Sequence, residues 1–148
     1  MTTTLLNKES LIGQSKIFAL LDVEGRERLV SLGRQLQLKS GEMIIQEGDL
    51  DATFYLLTNG KVEVSIDKFG DERTVNVLET GAVFGEIAAL VGEHRSASVK
   101  ALTDVDLLAF DGDKIQSLLS EYPQVREAIM KLGLKRSEDT MQEMLSDD

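Results

Sequence analysis

The residues whose chemistry stands out lie in the stretch 84–99, which reads FGEIAALVGEHRSASV. This stretch places the carboxylate of Glu86 and the guanidinium of Arg95 close to two glycines, Gly85 and Gly92. Between the glycines the residue types favour one or two turns of helix, and Gly92 is a natural stop. The first N–H groups of a helix lack partners within it and attract anions. Because the planar fork of an arginine matches a phosphate, we expect Arg95 to complete an anion site.

Glu86 adds a second requirement, because an ionised carboxylate can only accept hydrogen bonds. Beside a phosphate it therefore needs a donor, and a ribose hydroxyl is such a donor. A phosphate and a ribose hydroxyl held close together describe a compact nucleotide. In the simpler alternatives, Arg95 forms a surface salt bridge with Glu93 or Asp104, and Glu86 interacts with the start of its own helix.

Composition excludes several classes of function. The 148-residue chain carries a formal charge of −10 with a pI near 4.6, which argues against nucleic-acid binding because that affinity comes largely from neutralised phosphates. It has no cysteine and one histidine, His94, so thiolate catalysis, disulfides and multi-histidine metal sites are excluded. No apolar run approaches the ~20 residues of a membrane span. The first ten residues, MTTTLLNKES, lack the features of a secretory signal, which predicts a cytoplasmic protein.

Hydrophobic periodicity predicts a single domain, 1–148, of the α+β class. A helical period runs through 11–33 after a loose polar tail at 1–10, and alternating apolar residues then indicate about eight short strands within 34–111. A helical pattern returns at 112–148, where Val125, Ala128, Ile129 and Leu132 share a face. We expect that stripe to pack within the molecule and to continue through Leu134, Met141, Met144 and Leu145. The predicted fold is an antiparallel β-roll, or jelly-roll barrel, flanked by N- and C-terminal helices.

The stretch 84–99 resembles the phosphate-binding cassette of the cyclic nucleotide-binding domain family. That family includes catabolite activators, regulatory subunits of cAMP-dependent kinases and cyclic-nucleotide-gated channels. The resemblance extends over nearly the whole chain, since SGEMIIQEGDLDATFYLLTNGKVEV is similar to the family's first barrel strands and SLLSEYPQV to its first C-terminal helix. One departure is His94, at a position that is often proline in kinase members.

The resemblance implies roles for particular residues. Glu86 would accept from the ribose 2′-hydroxyl and Arg95 would pair with the cyclic phosphate, helped by Ser96 and by backbone amides near Gly85 and Ala97. Counting from Arg95 without gaps places Arg136 and Thr140 where catabolite activators contact adenine. The full set of residues assigned to the ligand is Val64, Val75, Phe84, Gly85, Glu86, Ile87, Ala88, Arg95, Ser96, Ala97, Arg136 and Thr140.

We therefore expect a cytoplasmic sensor module without chemistry of its own, which binds cAMP in preference to cGMP. It would signal to an unidentified downstream protein by movement of its C-terminal helices. A homodimer through the last helix is left open. The main alternative is a ligand-independent interaction or dimerisation domain that retains the fold. A metal-dependent enzyme on a jelly-roll barrel is the weaker alternative, because such sites use several histidines and this chain offers only His94.

Overall fold

The computed structural model describes residues 10, 12–86, 88, 92 and 94–146. Eight strands run through the middle of this part of the chain, as predicted: β1 Arg34–Leu38, β2 Met43–Ile45, β3 Phe54–Asn59, β4 Lys61–Lys68, β5 Asp71–Glu79, β6 Val83–Phe84, β7 Ser98–Ala101 and β8 Val105–Phe110. The helices whose bounds lie within the described residues are a 3₁₀ turn at Phe18–Leu20 and three α-helices that we number α1 Val23–Leu32, α2 Gly112–Leu119 and α3 Pro123–Leu145. This arrangement confirms the predicted α+β roll.

The strands form two antiparallel four-stranded sheets, in the orders β1-β8-β3-β6 and β2-β7-β4-β5. The interior of the roll is filled from both sheets, by residues such as Tyr55, Leu57 and Val99. A second apolar cluster lies between the first sheet and the helices, where Phe54 and Leu56 belong. Because successive side chains on a strand point to opposite faces, β3 is buried on both sides, and this explains its unbroken apolar run.

Helix boundaries follow local capping. The Asp22 carboxylate accepts from the Gly25 amide at 2.7 Å and begins α1. Asp111 accepts from the amides of Asp113 and Lys114 and begins α2. Pro123 occupies the first turn of α3, where its missing N–H has no helical partner to lose.

The first half of α3 packs on the core through Val125 and Ile129, which are fully buried. The predicted continuation of this stripe is wrong, because Leu134, Met141, Met144 and Leu145 are exposed. Beyond Gly133 the helix leaves the apolar core and passes over the open side of the roll. The half-buried face there is polar and contains Arg136, Asp139 and Thr140. Within the described part of the chain, none of the helices is long and apolar enough to cross a membrane.

Candidate functional site

A cleft that is open to solvent lies between the roll and α3 and has a volume of about 550 Å³. It is bounded by the second sheet, by the segment that follows β6 and by the polar face of α3. Its lining residues are Ile45, Val64, Leu78, Phe84, Gly85, Glu86, Ala88, His94, Arg95, Ser96, Ala97, Val99, Arg136 and Thr140. The cleft is apolar toward the sheet and carries charged groups at two places, so it suits a ligand with a flat apolar part and an anionic part.

Arg95 is the charged group at the first place, and it is 6% exposed. Its Nη2 donates to the Thr53 carbonyl at 2.7 Å and its Nη1 to the Gly85 carbonyl at 3.2 Å. Its main chain is held to the β2–β3 loop, since its amide donates to Asp49 O and its carbonyl accepts from the Gly48 amide, both at 2.8 Å. Among the described residues, no partner reaches its buried Nε. Arg95 is therefore a fixed, buried cation whose Nε–H has no acceptor among the described residues.

Among the described residues, the carboxylate that forms an ion pair with Arg95 is that of Asp51, whose Oδ2 lies 3.8 Å from Nη2. Burial lowers the pKa of Arg95, and the negative charge of Asp51 opposes that shift. Burial acts to raise the pKa of Asp51, but hydrogen bonds from the Thr53 amide and hydroxyl, together with the charge of Arg95, lower it below its ordinary value. Asp51 is half exposed and its carboxylate is not in hydrogen-bond range, so it balances the charge of Arg95 only in part.

Gly85 allows the main chain to lie close to both Thr53 and Arg95. Its φ is +82°, and a Cβ at this position would lie 2.7 Å from the Thr53 carbonyl oxygen and 2.9 Å from Nη1 of Arg95. Both the backbone conformation and the space therefore require glycine. The Phe84 ring beside it stacks on Tyr55, with ring centroids 5.1 Å apart, and this contact fixes the end of β6.

The second charged part of the cleft is the ion pair between Glu86 and Arg136. The Glu86 side chain is 4% exposed, and its Oε2 lies 3.0 Å from Nη1 of Arg136, whose side chain is 19% exposed. The same Nη1 also donates to the Val83 carbonyl. Arg136 thus joins α3 to the segment after β6, and the predicted acceptor Glu86 already has a cationic partner in this structure.

A smaller hollow of about 240 Å³ adjoins the cleft. It shares Val64, Leu78, Arg136 and Thr140 with the cleft and adds Val75, Asn76 and Asp139. Both hollows lie between strands β4 and β5 on one side and the polar face of α3 on the other.

The structure brings together most of the residues predicted from the sequence. Ten of them line the cleft and Val75 lines the adjoining hollow, while Ile87 lies outside the described residues. Glu86 and Ala88 are helical, and the Gly92 amide donates to the Ala88 carbonyl at 3.0 Å, as expected for a helix that ends at Gly92; the rest of the predicted helix, 89–91, lies outside the described part.

Sequence reasoning missed two groups of residues at the site. Asp51 and Thr53 hold Arg95, whereas the expected alternative partners were Glu93 and Asp104; Glu93 lies outside the described residues. The spacing of Asp51 and Thr53 signals a local turn, with a 3.1 Å bond from the Thr53 amide, but gives no sign of a contact 44 positions away. The apolar floor formed by Ile45, Leu78 and Val99 was also missed. His94 was interpreted as an exposed loop residue, and it is exposed but lines the cleft.

Comparison with known proteins agrees with this architecture. A family model described as cyclic nucleotide-binding domain matches residues 35–122, and the chain belongs to that family. A protein of Rhodopseudomonas palustris whose name describes it as a potassium channel is 28% identical over 83% of this chain and 30% of its own length. The cAMP-dependent protein kinase regulatory subunit of Eremothecium gossypii is 31% identical over 70% of this chain and 22% of its own. The chain thus spans less than a third of either relative.

Solved structures give the same result. The catabolite activator protein of Thermus thermophilus superposes with a TM-score of 0.76 at 30% identity, over 88% of this chain and 62% of that one. The regulatory domain of Toxoplasma gondii protein kinase A, crystallised with cAMP, gives 0.75 at 25% identity, over 88% and 48%. A regulatory subunit of a cAMP-independent protein kinase A from Trypanosoma brucei gives 0.83 at 19% identity, over 96% and 53%, and shows the fold alone.

Proposed function

We propose that this chain is a regulatory module that binds a cyclic nucleotide, cAMP in preference to cGMP, in the cleft under α3. The observation that carries the proposal is Arg95, a residue that is only 6% exposed and whose side chain lies in the cleft wall. Two main-chain carbonyls and a carboxylate 3.8 Å away are the described groups around it. A close, hydrogen-bonded anion stabilises a buried cation strongly, and a cyclic phosphate would be such an anion.

The position of Glu86 supports a ribose beside that phosphate. Its carboxylate lines the same cleft as Arg95, and a carboxylate offers about four acceptor sites. Arg136 reaches Oε2, so acceptance from a ribose 2′-hydroxyl does not require that the ion pair break. The ligand would then lie between two protein cations, which explains how a chain of charge −10 holds an anion.

The base would extend toward the β4–β5 sheet. Val64 and Val75 offer apolar contact from below, and Arg136 and Thr140 offer polar groups from α3. We assign the preference for cAMP to these two α3 residues. The signal would pass through the position of α3, because a ligand that binds the closed arrangement better shifts the equilibrium toward it.

Titration calorimetry with cAMP, cGMP and 5′-AMP tests the proposal. We expect cAMP to bind most tightly, and Arg95→Gln to weaken it by about 2 kcal/mol, roughly 30-fold, because a charge-assisted pair is lost. The matched control is Arg34→Gln, which removes an exposed arginine from β1. Binding of 2′-deoxy-cAMP as tight as that of cAMP would contradict the role of Glu86, and equal affinity in Arg95→Gln would contradict the phosphate site.

A ligand-independent interaction domain is the second candidate, and the Glu86–Arg136 pair favours it. With this pair and the carbonyl contacts of Arg95, the cleft satisfies much of its own charge. In that case α3 presents its exposed residues Leu134, Met141 and Leu145 to a partner or to a second copy without nucleotide control. No heat and no thermal shift with millimolar cAMP or cGMP would favour this candidate over a sensor.

A further inference from the structure

Lys68, the last residue of β4, lies against the end of α3. It is 6% exposed, and its Nζ donates to the Glu143 carbonyl at 3.0 Å and to Oγ of Ser146 at 2.9 Å. It also donates to the Ser146 carbonyl. The last carbonyls of a helix lack partners within it, and the helix dipole favours a cation there. Lys68 is therefore a C-terminal cap of α3 that comes from the sheet, 75 positions earlier in the chain.

The turn that follows Lys68 fixes the place of this cap. Phe69 and Gly70 form a two-residue hairpin connection between β4 and β5, with φ values of +55° and +90°. Such turns match the twist of paired strands and hold them in register. The Gly70 amide also donates to Oδ1 of Asp67 at 2.9 Å. The ammonium of Lys68 is thus tied to the rigid sheet while its acceptors belong to the helix.

Two cations consequently hold α3 over the cleft. Arg136 connects the helix to Glu86 and Val83 at one place. Lys68 connects it to β4 through Glu143 and Ser146, about 10–15 Å further along at the rise of a helix. Thr140 lies between these places and lines both the cleft and the adjoining hollow. For α3 to lift away from the cleft, both connections must break.

We propose that Lys68 is a positioning residue that holds α3 closed and thereby sets how long a bound nucleotide stays. It does not line either hollow, so it acts through the helix. This inference rests on the proposed function for its kinetic part. Its structural part, that Lys68 holds the end of α3 to the sheet, stands without any ligand.

The test uses Lys68→Met, Lys68→Gln and Lys68→Arg in the full chain. Hydrogen exchange of the peptide covering residues 139–146 is measured without nucleotide, and release of a fluorescently labelled cAMP is followed by stopped flow. We expect Lys68→Met to raise both the exchange rate and the dissociation rate about tenfold, since a charged hydrogen-bond donor is lost. The association rate should stay within about twofold, because the cation that meets the phosphate is unchanged.

Lys68→Arg should keep both rates close to those of the unmodified protein, since it retains a cation at the helix end. The control is Lys61→Met, at the start of the same strand. Lys61 is exposed and makes a 3.6 Å ion pair with Glu79, so its replacement should change neither rate. Lys68→Gln, which keeps a neutral donor, serves as the main variant if Lys68→Met does not fold.

The outcomes separate this inference from the proposed function. If the unmodified protein binds no cyclic nucleotide, the proposed function fails and the exchange measurement alone decides whether Lys68 holds α3. Unchanged exchange in Lys68→Met overturns the inference. Faster exchange with an unchanged dissociation rate also overturns it, because Lys68 would then prevent only fraying of the last turn.

Discussion

The ion pair between Glu86 and Arg136 should respond unequally to removal of its two partners. The Glu86 side chain is 4% exposed, whereas that of Arg136 is 19% exposed. Arg136→Gln leaves a carboxylate that is almost fully enclosed without its cation. Glu86→Gln leaves an arginine that keeps its bond to the Val83 carbonyl and retains some contact with water.

The expected magnitudes follow from this difference in burial. Removing one partner of a fully buried pair costs about 3–5 kcal/mol, and the partial exposure of Arg136 places Arg136→Gln at the lower end, about 3 kcal/mol of unfolding free energy. Glu86→Gln should cost about 1 kcal/mol, the value for a single hydrogen bond. The double variant should cost about 1.5 kcal/mol rather than the sum of about 4 kcal/mol, because the penalty of the unpaired carboxylate disappears with the carboxylate.

Urea unfolding followed by far-UV circular dichroism measures these values at pH 7, since the chain has no tryptophan to report by fluorescence. Lys135→Gln is the matched control on the same helix. Its side chain is 72% exposed and makes a 3.6 Å ion pair with Asp139, so its removal should cost less than about 0.5 kcal/mol. Costs that add in the double variant, or a larger loss in Glu86→Gln than in Arg136→Gln, would refute the claim that burial decides the asymmetry.

Three further predictions concern Gly85, Asp22 and Thr140. Gly85→Ala should destabilise the protein by about 3 kcal/mol, because a Cβ would lie 2.7 Å from the Thr53 carbonyl oxygen. The control Gly41→Ala should cost only about 1 kcal/mol, because φ is +93° there but a Cβ meets no described atom within 4 Å. Equal losses of unfolding free energy in urea would count against the close-approach argument. The Gly25 amide, and after it the Tyr122 hydroxyl, hold the pKa of Asp22 below its ordinary 3.8. The stabilising contribution of Asp22 is therefore complete well above pH 3.8 and is lost as the pH falls through the lowered folded pKa, so Asp22→Asn should flatten the acid limb of a stability–pH profile, and an unchanged limb would exclude Asp22 as its source. Thr140→Val should reduce the affinity ratio of cAMP to cGMP in calorimetry without changing the urea midpoint, and an unchanged ratio would remove Thr140 from base recognition.

The fold was predictable because its strands carry their burial pattern in the sequence. In β8, Leu108 and Phe110 face the helices while Leu107 and Ala109 face the interior of the roll, and an unbroken apolar run is the pattern of a strand covered on both sides. The last half of α3 was not predictable in the same way. Its apolar residues Leu134 and Met141 keep a helical spacing but are exposed, because periodicity identifies a face without saying what covers it.

Most residues that line the cleft could be named from the sequence, but the contacts between them could not. Glu86 and Arg136 were each assigned to a ligand, and the structure places them 3.0 Å apart. Asp51 and Thr53 were absent from the predicted site, although they hold Arg95. Contacts between positions about 50 residues apart depend on how the strands and helices pack, which local patterns do not contain.

The charged groups of the cleft differ in how well the protein itself satisfies them, and this difference bears on the choice between the two candidate functions. Glu86 has a cation within hydrogen-bond range, so its charge is already balanced by α3. Arg95 has two carbonyls, a carboxylate at 3.8 Å and a buried Nε that no described group reaches, so its charge is balanced only in part. A domain that worked without ligand would gain stability from an apolar residue in place of Arg95, because a buried cation carries a desolvation penalty that carbonyls repay only in part. Arg95→Met should therefore raise the urea midpoint of the free protein, and this rise is expected whether or not the cleft binds an anion. If the cleft binds cAMP, the same variant should abolish the increase in midpoint that saturating cAMP produces in the unmodified protein.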